Sequence, residues 1–236
     1  MMRVYIGTSG YSYKEWKGSF YPEDLPASKF LEFYSSKLKT VEINNTFYRM
    51  PTEKVIAQWA SEVPAGFVFA VKAPQRITHQ ERLKGSNDSM KRFLDATNVL
   101  KDKLGPFLFQ LPPFLKKDLP LLTDFVNALP ADRLCSFEFR HPSWFSDDVY
   151  AALGARNCAF VLAESEKVSA PRVATADWGY LRLRREDYVD KDVLEWGDWI
   201  AAQSWKRAFV YFKHEDAGIG PKLAKKLIAH LGPERA

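Results

Sequence analysis

The feature that most constrains this chain is an alternation. Short runs rich in β-branched and aromatic residues recur eight times, and amphipathic helical patterns fall between most of them. The runs are Val4–Thr8, Thr40–Asn44, Phe67–Lys72, Phe107–Leu111, Leu134–Phe139, Ala159–Ala163, Tyr180–Arg184 and Phe209–Phe212. The helical patterns are clearest over Lys29–Leu38, Glu53–Glu62, Ser89–Lys103, Leu119–Leu129, Asp147–Leu153, Asp192–Gln203 and Lys222–Leu231. Helix-start signals precede several of them: Ser28, Thr52 after Pro51, and Ser146 followed by Asp147 and Asp148. Such alternation predicts a parallel sheet jacketed by helices, because parallel neighbours need a crossover long enough to hold one. Eight units in 236 residues predict an α/β fold, a single (β/α)8 TIM-type barrel over residues 1–236. The connection from Glu164 to Trp178 has no helical pattern, so one outer helix is expected to be short or missing after the sixth strand. An open doubly wound sheet is the alternative; against it, no strand leads into a glycine-rich phosphate turn.

Closure predicts which side chains enter the barrel, because neighbours along a strand alternate between the interior and the helices. Bulky Phe67, Phe69 and Val71 suit the helix side, which turns Val68, Ala70 and Lys72 inward. The same parity turns in Glu42 and Asn44, Leu108 and Gln110, Ser136, Glu138 and Arg140, and Tyr180, Arg182 and Arg184. On the last strand the parity is open between Lys213 and His214. Each inward polar residue falls at or near the C-terminal end of its strand, where barrels of this kind build active sites. Buried charges must pair, bind a ligand or face water. Two readings are therefore open: a ligand site and a structural ion-pair network. The first connection, Gly10–Pro22, carries five aromatic residues. Trp16 within it, and Trp144 after Arg140-His141-Pro142, are expected either to wall a ligand or to plug the barrel mouth.

Composition narrows the classes. The formal net charge is +5 and the pI about 9.0, which favours an anionic partner: phosphate, sugar acid or nucleic acid. The longest apolar runs fall far short of the roughly 20 residues a membrane span requires. The N-terminal residues run straight into a strand without a signal-peptide pattern, so a cytoplasmic location is expected. Cys135 and Cys158 lie in apolar runs without metal-ligand spacing and read as buried thiols.

Five motifs stand out: Ile6-Gly7-Thr8-Ser9-Gly10-Tyr11-Ser12-Tyr13 with Trp16, Val41-Glu42-Ile43-Asn44 with Thr46-Phe47-Tyr48, Phe69-Ala70-Val71-Lys72, Phe109-Gln110-Leu111-Pro112-Pro113, and Phe137-Glu138-Phe139-Arg140-His141-Pro142-Ser143-Trp144. Together they resemble the YecE-like family, domain of unknown function 72. The resemblance covers essentially the whole chain and implies a TIM-type barrel without implying a reaction. Late in the chain the pattern departs from the family's. Glu164 follows Ala163 where an aspartate is usual, Arg184 replaces a histidine, and Lys213-His214 replaces a pair of asparagines. The second half of the site is the more basic half.

The leading expectation is an enzyme or binding protein for a small anionic or sugar-like molecule. Arg140, Arg182, Arg184 and Lys213 would bind its phosphate or carboxylate, with Asn44, Gln110, Trp16 and Trp144 completing the site. Glu42 or Glu138 would serve as general base, the two carboxylates having separated pKa values, and Lys72 as acid, electrophile or Schiff-base amine. No particular cofactor is indicated. One alternative is a metal-dependent hydrolase or isomerase using His214 with Glu42, Glu138 and Glu164; His79, His141 and His230 sit less favourably. Another is a nucleic-acid binding module, suited by the pI, the aromatic loop and the arginines, although the basic segment Lys222–Leu227 reads as a solvated helix face.

Overall fold

The computed structural model describes residues 2–85, 87–165, 169–213, 216–232 and 234–235. Eight parallel strands close in sequence order: β1 (Arg3–Ser9), β2 (Thr40–Ile43), β3 (Val68–Lys72), β4 (Leu104–Gln110), β5 (Cys135–Glu138), β6 (Ala159–Glu164), β7 (Trp178–Leu183) and β8 (Arg207–Phe212). β8 returns to β1 in continuous register from Arg3 opposite Arg207 to Thr8 opposite Phe212. The outer helices are α1 (Phe30–Ser35), α2 (Asn45–Tyr48), α3 (Glu53–Ser61), α4 (Asn87–Thr97), α5 (Leu119–Ala128), α6 (Asp147–Gly154), α7 (Asp190–Ala201) and α8 (Ile219–Leu231). The Thr52 hydroxyl caps α3 through the Val55 amide, and Asp118 caps α5 through Leu121. Among the described residues between β6 and β7 there is no helix, as the sequence pattern predicts.

The strand parity divides the core in two. Outward residues such as Ile6, Val41, Phe69, Phe107, Phe137, Leu181 and Phe212 join one large apolar cluster with the helices. Inside the barrel a second cluster holds Val68, Ala70, Leu108, Ala159, Val161, Ala163, Trp178, Tyr180, Phe209 and Tyr211. Phe209 and Tyr211 facing inward settle the parity of the last strand: Lys213 continues the interior register and lies exposed beyond the strand end. His214 lies outside the described residues.

The β1–β2 seam is short, with only Thr8 opposite Val41 and Ser9 opposite Glu42. The Tyr34 hydroxyl of α1 closes the gap. It accepts from the Thr8 amide and hydroxyl, each at 2.9 Å, and donates to the Thr40 carbonyl at 2.9 Å. A side chain at Gly7 would place its Cβ 2.1 Å from that carbonyl oxygen, so only glycine admits this approach.

The aromatic first loop turns inward on itself. Trp16 is fully buried against Tyr13, Phe20 and Tyr21, and Tyr21 stacks on Phe30 at 4.2 Å. Trp144 is also fully buried, stacked on Phe139 and donating its indole N–H to the Leu115 carbonyl at 2.7 Å. These two tryptophans therefore fill the outer core, the plugging role of the two that the sequence left open. Their large apolar area stabilises more when packed against aromatic neighbours than at a wet mouth. The basic face of α8 is partly engaged as well: Lys226 pairs with Asp190 of α7, and Lys225 lies over the Phe20 ring. Both cysteines are buried; burial pushes the Cys158 thiol up to about 11 and Cys135 higher still. No helix among the described residues is long and apolar enough to cross a membrane.

Candidate functional site

At the C-terminal ends of the strands the inward polar residues meet in one network. Its centre is Arg182 of β7, which enters the barrel opposite the small side chain of Ala163 on β6. One guanidinium nitrogen donates to Glu42 Oε1 at 2.8 Å, and another reaches Glu138 Oε2. A single side chain thus ties β7 to β2 and β5. Both glutamates are fully buried. Glu42 also accepts from Ser9 Oγ at 2.8 Å, Asn44 Nδ2 at 3.1 Å and the Tyr180 hydroxyl at 2.7 Å. Glu138 Oε1 accepts from Gln110 Nε2 at 2.8 Å, and from Arg140 and Arg184, each at 3.1 Å. The two carboxylates face three arginines and one lysine.

Lys72, 8% exposed, does not pair directly with a glutamate. Its ammonium donates to Gln110 Oε1 at 2.9 Å and lies 3.9 Å from the centre of the Phe47 ring. Phe47 in turn meets the His79 ring edge-on at 4.9 Å. The short α2 positions Phe47, and the Thr46 hydroxyl anchors it by donating to the Lys72 carbonyl at 2.6 Å.

The charges decide what each group can do. Burial works to raise the pKa of both glutamates, but Arg182, with Arg184 and Arg140 at Glu138 and Tyr180 at Glu42, holds both below the usual carboxylate range. Both carboxyls are shifted the same way, downward, because one arginine serves both and burial is overcome at each. Lys72 is pushed the other way: burial first, then the Arg182 charge, lower it to about 7, with Glu138 and Glu42 opposing. His79 is lowered by burial and by the Lys72 and Arg140 charges. Burial and the Glu42 charge keep the Tyr180 hydroxyl protonated. The Nε–H groups of Arg182 and Arg184 are buried without a protein acceptor among the described residues.

Of the sequence-predicted residues, Glu42, Asn44, Lys72, Gln110, Glu138, Arg140, Arg182 and Arg184 converge. Lys213 stands at the exposed edge, and Trp16 and Trp144 lie elsewhere. Ser9, Tyr180, Phe47 and His79 also belong to the network or its wall. The inward parity of β1 and β7 signals Ser9 and Tyr180, whereas Phe47 and His79 come from helical segments of four and five residues, too short to carry a periodicity. Glu164 faces away from the barrel interior, accepting from the Tyr188 hydroxyl at 2.5 Å and Trp196 Nε1 at 2.9 Å. It does not join Glu42 and Glu138, and among the described residues no group of three His, Cys, Asp or Glu side chains is arranged to hold a metal ion. A separate surface cleft of about 470 Å³ lies between α4 and α5, lined by Met90, Leu94, Leu121 and Phe125 but by none of the inward charges.

Comparison with known proteins agrees with the fold and motifs. The Escherichia coli UPF0759 protein YecE is 29% identical over 175 residues, 72% of this chain and 62% of that protein. The Bacillus subtilis UPF0759 protein YunF is 33% identical over 155 residues, 62% of this chain and 54% of that protein. The matched stretches thus span less than two thirds of either relative. The crystal structure of a DUF72 family protein from Thermotoga maritima superposes with a TM-score of 0.86 at 26% identity, covering 97% of this chain and 99% of that one. The model of the family described as "Protein of unknown function DUF72" matches residues 5–236, so the chain belongs to the DUF72 family.

Proposed function

We propose that the C-terminal mouth of the barrel binds a small anionic molecule, carboxylate or phosphate, and acts on it as an enzyme. The observation that carries this reading is the charge arrangement. The two carboxylates are already saturated by donors, whereas Arg140 and Arg184 each give Glu138 one hydrogen bond and keep further N–H groups for a ligand. The inner part of the network, Arg182 with Glu42 and Glu138, is the ion-pair scaffold; the outer part, Lys72, Arg140 and Arg184, is the binding edge. Exposed Tyr48 (76%) and Phe114 (60%), on the loops after β2 and β4, supply apolar rim of the kind that covers small ligands.

The roles within the site follow from the pKa directions. Carboxylates held low are weak bases near neutral pH, so Glu42 and Glu138 orient the arginines. Lys72, near 7, is the group matched to moving a proton or attacking an electrophile. Titration calorimetry with inorganic phosphate at low salt tests the binding. Arg140→Ala and Arg184→Ala are each expected to weaken it by roughly ten- to a hundredfold, as for the loss of a charged hydrogen bond. Unchanged affinity in both variants would remove the anion from this face.

A further inference from the structure

Lys72, Gln110, Glu138 and the pair Arg140 and Arg184 form one unbroken chain of hydrogen bonds, of 2.9, 2.8, 3.1 and 3.1 Å. A buried amine and two guanidiniums are therefore held a fixed two side chains apart at one barrel mouth. Guanidiniums anchor an anionic group; an amine beside them is placed to meet an electrophilic carbon on the same small molecule. Phe47 walls the amine on one side, and Gln110 Oε1 accepts a hydrogen bond from it.

We propose that Lys72 forms an imine with a short aldehyde or ketone that carries a carboxylate or phosphate held by Arg140 and Arg184. The inference rests on the anion-binding reading above and names its substrate class. In the step, the neutral Nζ lone pair attacks the carbonyl carbon and the carbonyl π pair moves to oxygen. The C–N bond forms, the C–O bond breaks, and the oxygen leaves as water with the two protons that Nζ gives up. The imine takes a proton from solvent to become the iminium; nothing is oxidised or reduced. The lowered pKa of Lys72 assists, since near pH 7 its neutral fraction exceeds that of an ordinary lysine by roughly a thousandfold.

The test is reductive trapping. The protein is incubated with glyoxylate, with glycolaldehyde phosphate, or with uncharged propionaldehyde, then treated with borohydride, digested and mapped by mass spectrometry. Lys72 is expected to be labelled ahead of the other lysines by at least one charged probe, with yield rising from pH 6 to pH 8. Propionaldehyde should label it poorly, and inorganic phosphate should compete. Lys72→Arg, which has no primary amine, should lose the label. Phosphate binding without a label on Lys72 would overturn the imine and leave the anion-binding reading standing. Neither binding nor label would overturn both.

Discussion

Arg182 does three things at once: it pairs with two buried carboxylates, links three strands, and lowers the pKa of Lys72. Removing one partner of a buried ion pair leaves the other charge unopposed, which costs about 3–5 kcal/mol. Arg182→Met is therefore expected to lower stability by about that amount at pH 7, read from urea unfolding. The pH dependence has a definite sign. Glu42 and Glu138 ionise more readily folded than at their ordinary value of 4.5, so wild-type stability is lost as pH falls below that value toward their folded values. In the variant the largest opposing charge is gone, although Arg184 and Arg140 still face Glu138 and the Tyr180 and Ser9 hydroxyls still donate to Glu42, so both folded pKa values move up and less stability is lost on acidification. The gap between the two proteins should narrow as pH falls below about 4.5 toward the wild-type folded values; a gap of constant width would show that the pairing is not its cause.

Among the elements, β1–β2 is one of two seams with only two registered pairs, β5–β6 being the other, and a helix side chain bridges it. Tyr34 of α1 supplies the hydroxyl that both strands share. Tyr34→Phe keeps the ring and strands the buried Thr8 amide, an expected loss of about 1–3 kcal/mol. Amide hydrogen exchange should quicken at Thr8 and Ser9 more than on the central strands; a uniform change along the barrel would contradict this role. The seam lies beside Ser9 and Glu42, so the same joint sets one edge of the charged network.

At the scale of the whole molecule, the protein is two nested cores, an aromatic-rich jacket outside the sheet and a smaller cluster inside it, with charges confined to one end of the inner one. Trp16 belongs wholly to the jacket. Trp16→Ala should cost about 3–5 kcal/mol while leaving phosphate affinity unchanged. Weakened phosphate binding with unchanged stability would instead place the ring at the ligand. The Lys72 amine and the arginines at the barrel mouth are the parts on which a reaction would depend, and the jacket serves them by holding eight strand ends in register.

The sequence by itself determined the alternation of strands and helices, the lack of a helix among the described residues between β6 and β7, and which residues of most strands face inward. These are local properties: side-chain periodicity and the size of outward aromatics decide them. It also singled out the charged strand ends, since Glu42, Lys72, Gln110, Glu138 and Arg182 violate the apolar pattern of an interior. Only the tertiary structure decided how those charges divide. That Arg182 takes both glutamates, that Lys72 meets Gln110 and Phe47, that Glu164 faces away, and that Trp16 and Trp144 are core all depend on cross-barrel distances. Such distances are set by closure and by small residues such as Ala163, and no window of neighbouring residues encodes them. The pKa directions follow the same rule, because burial and opposing charge come from strands far apart in the chain.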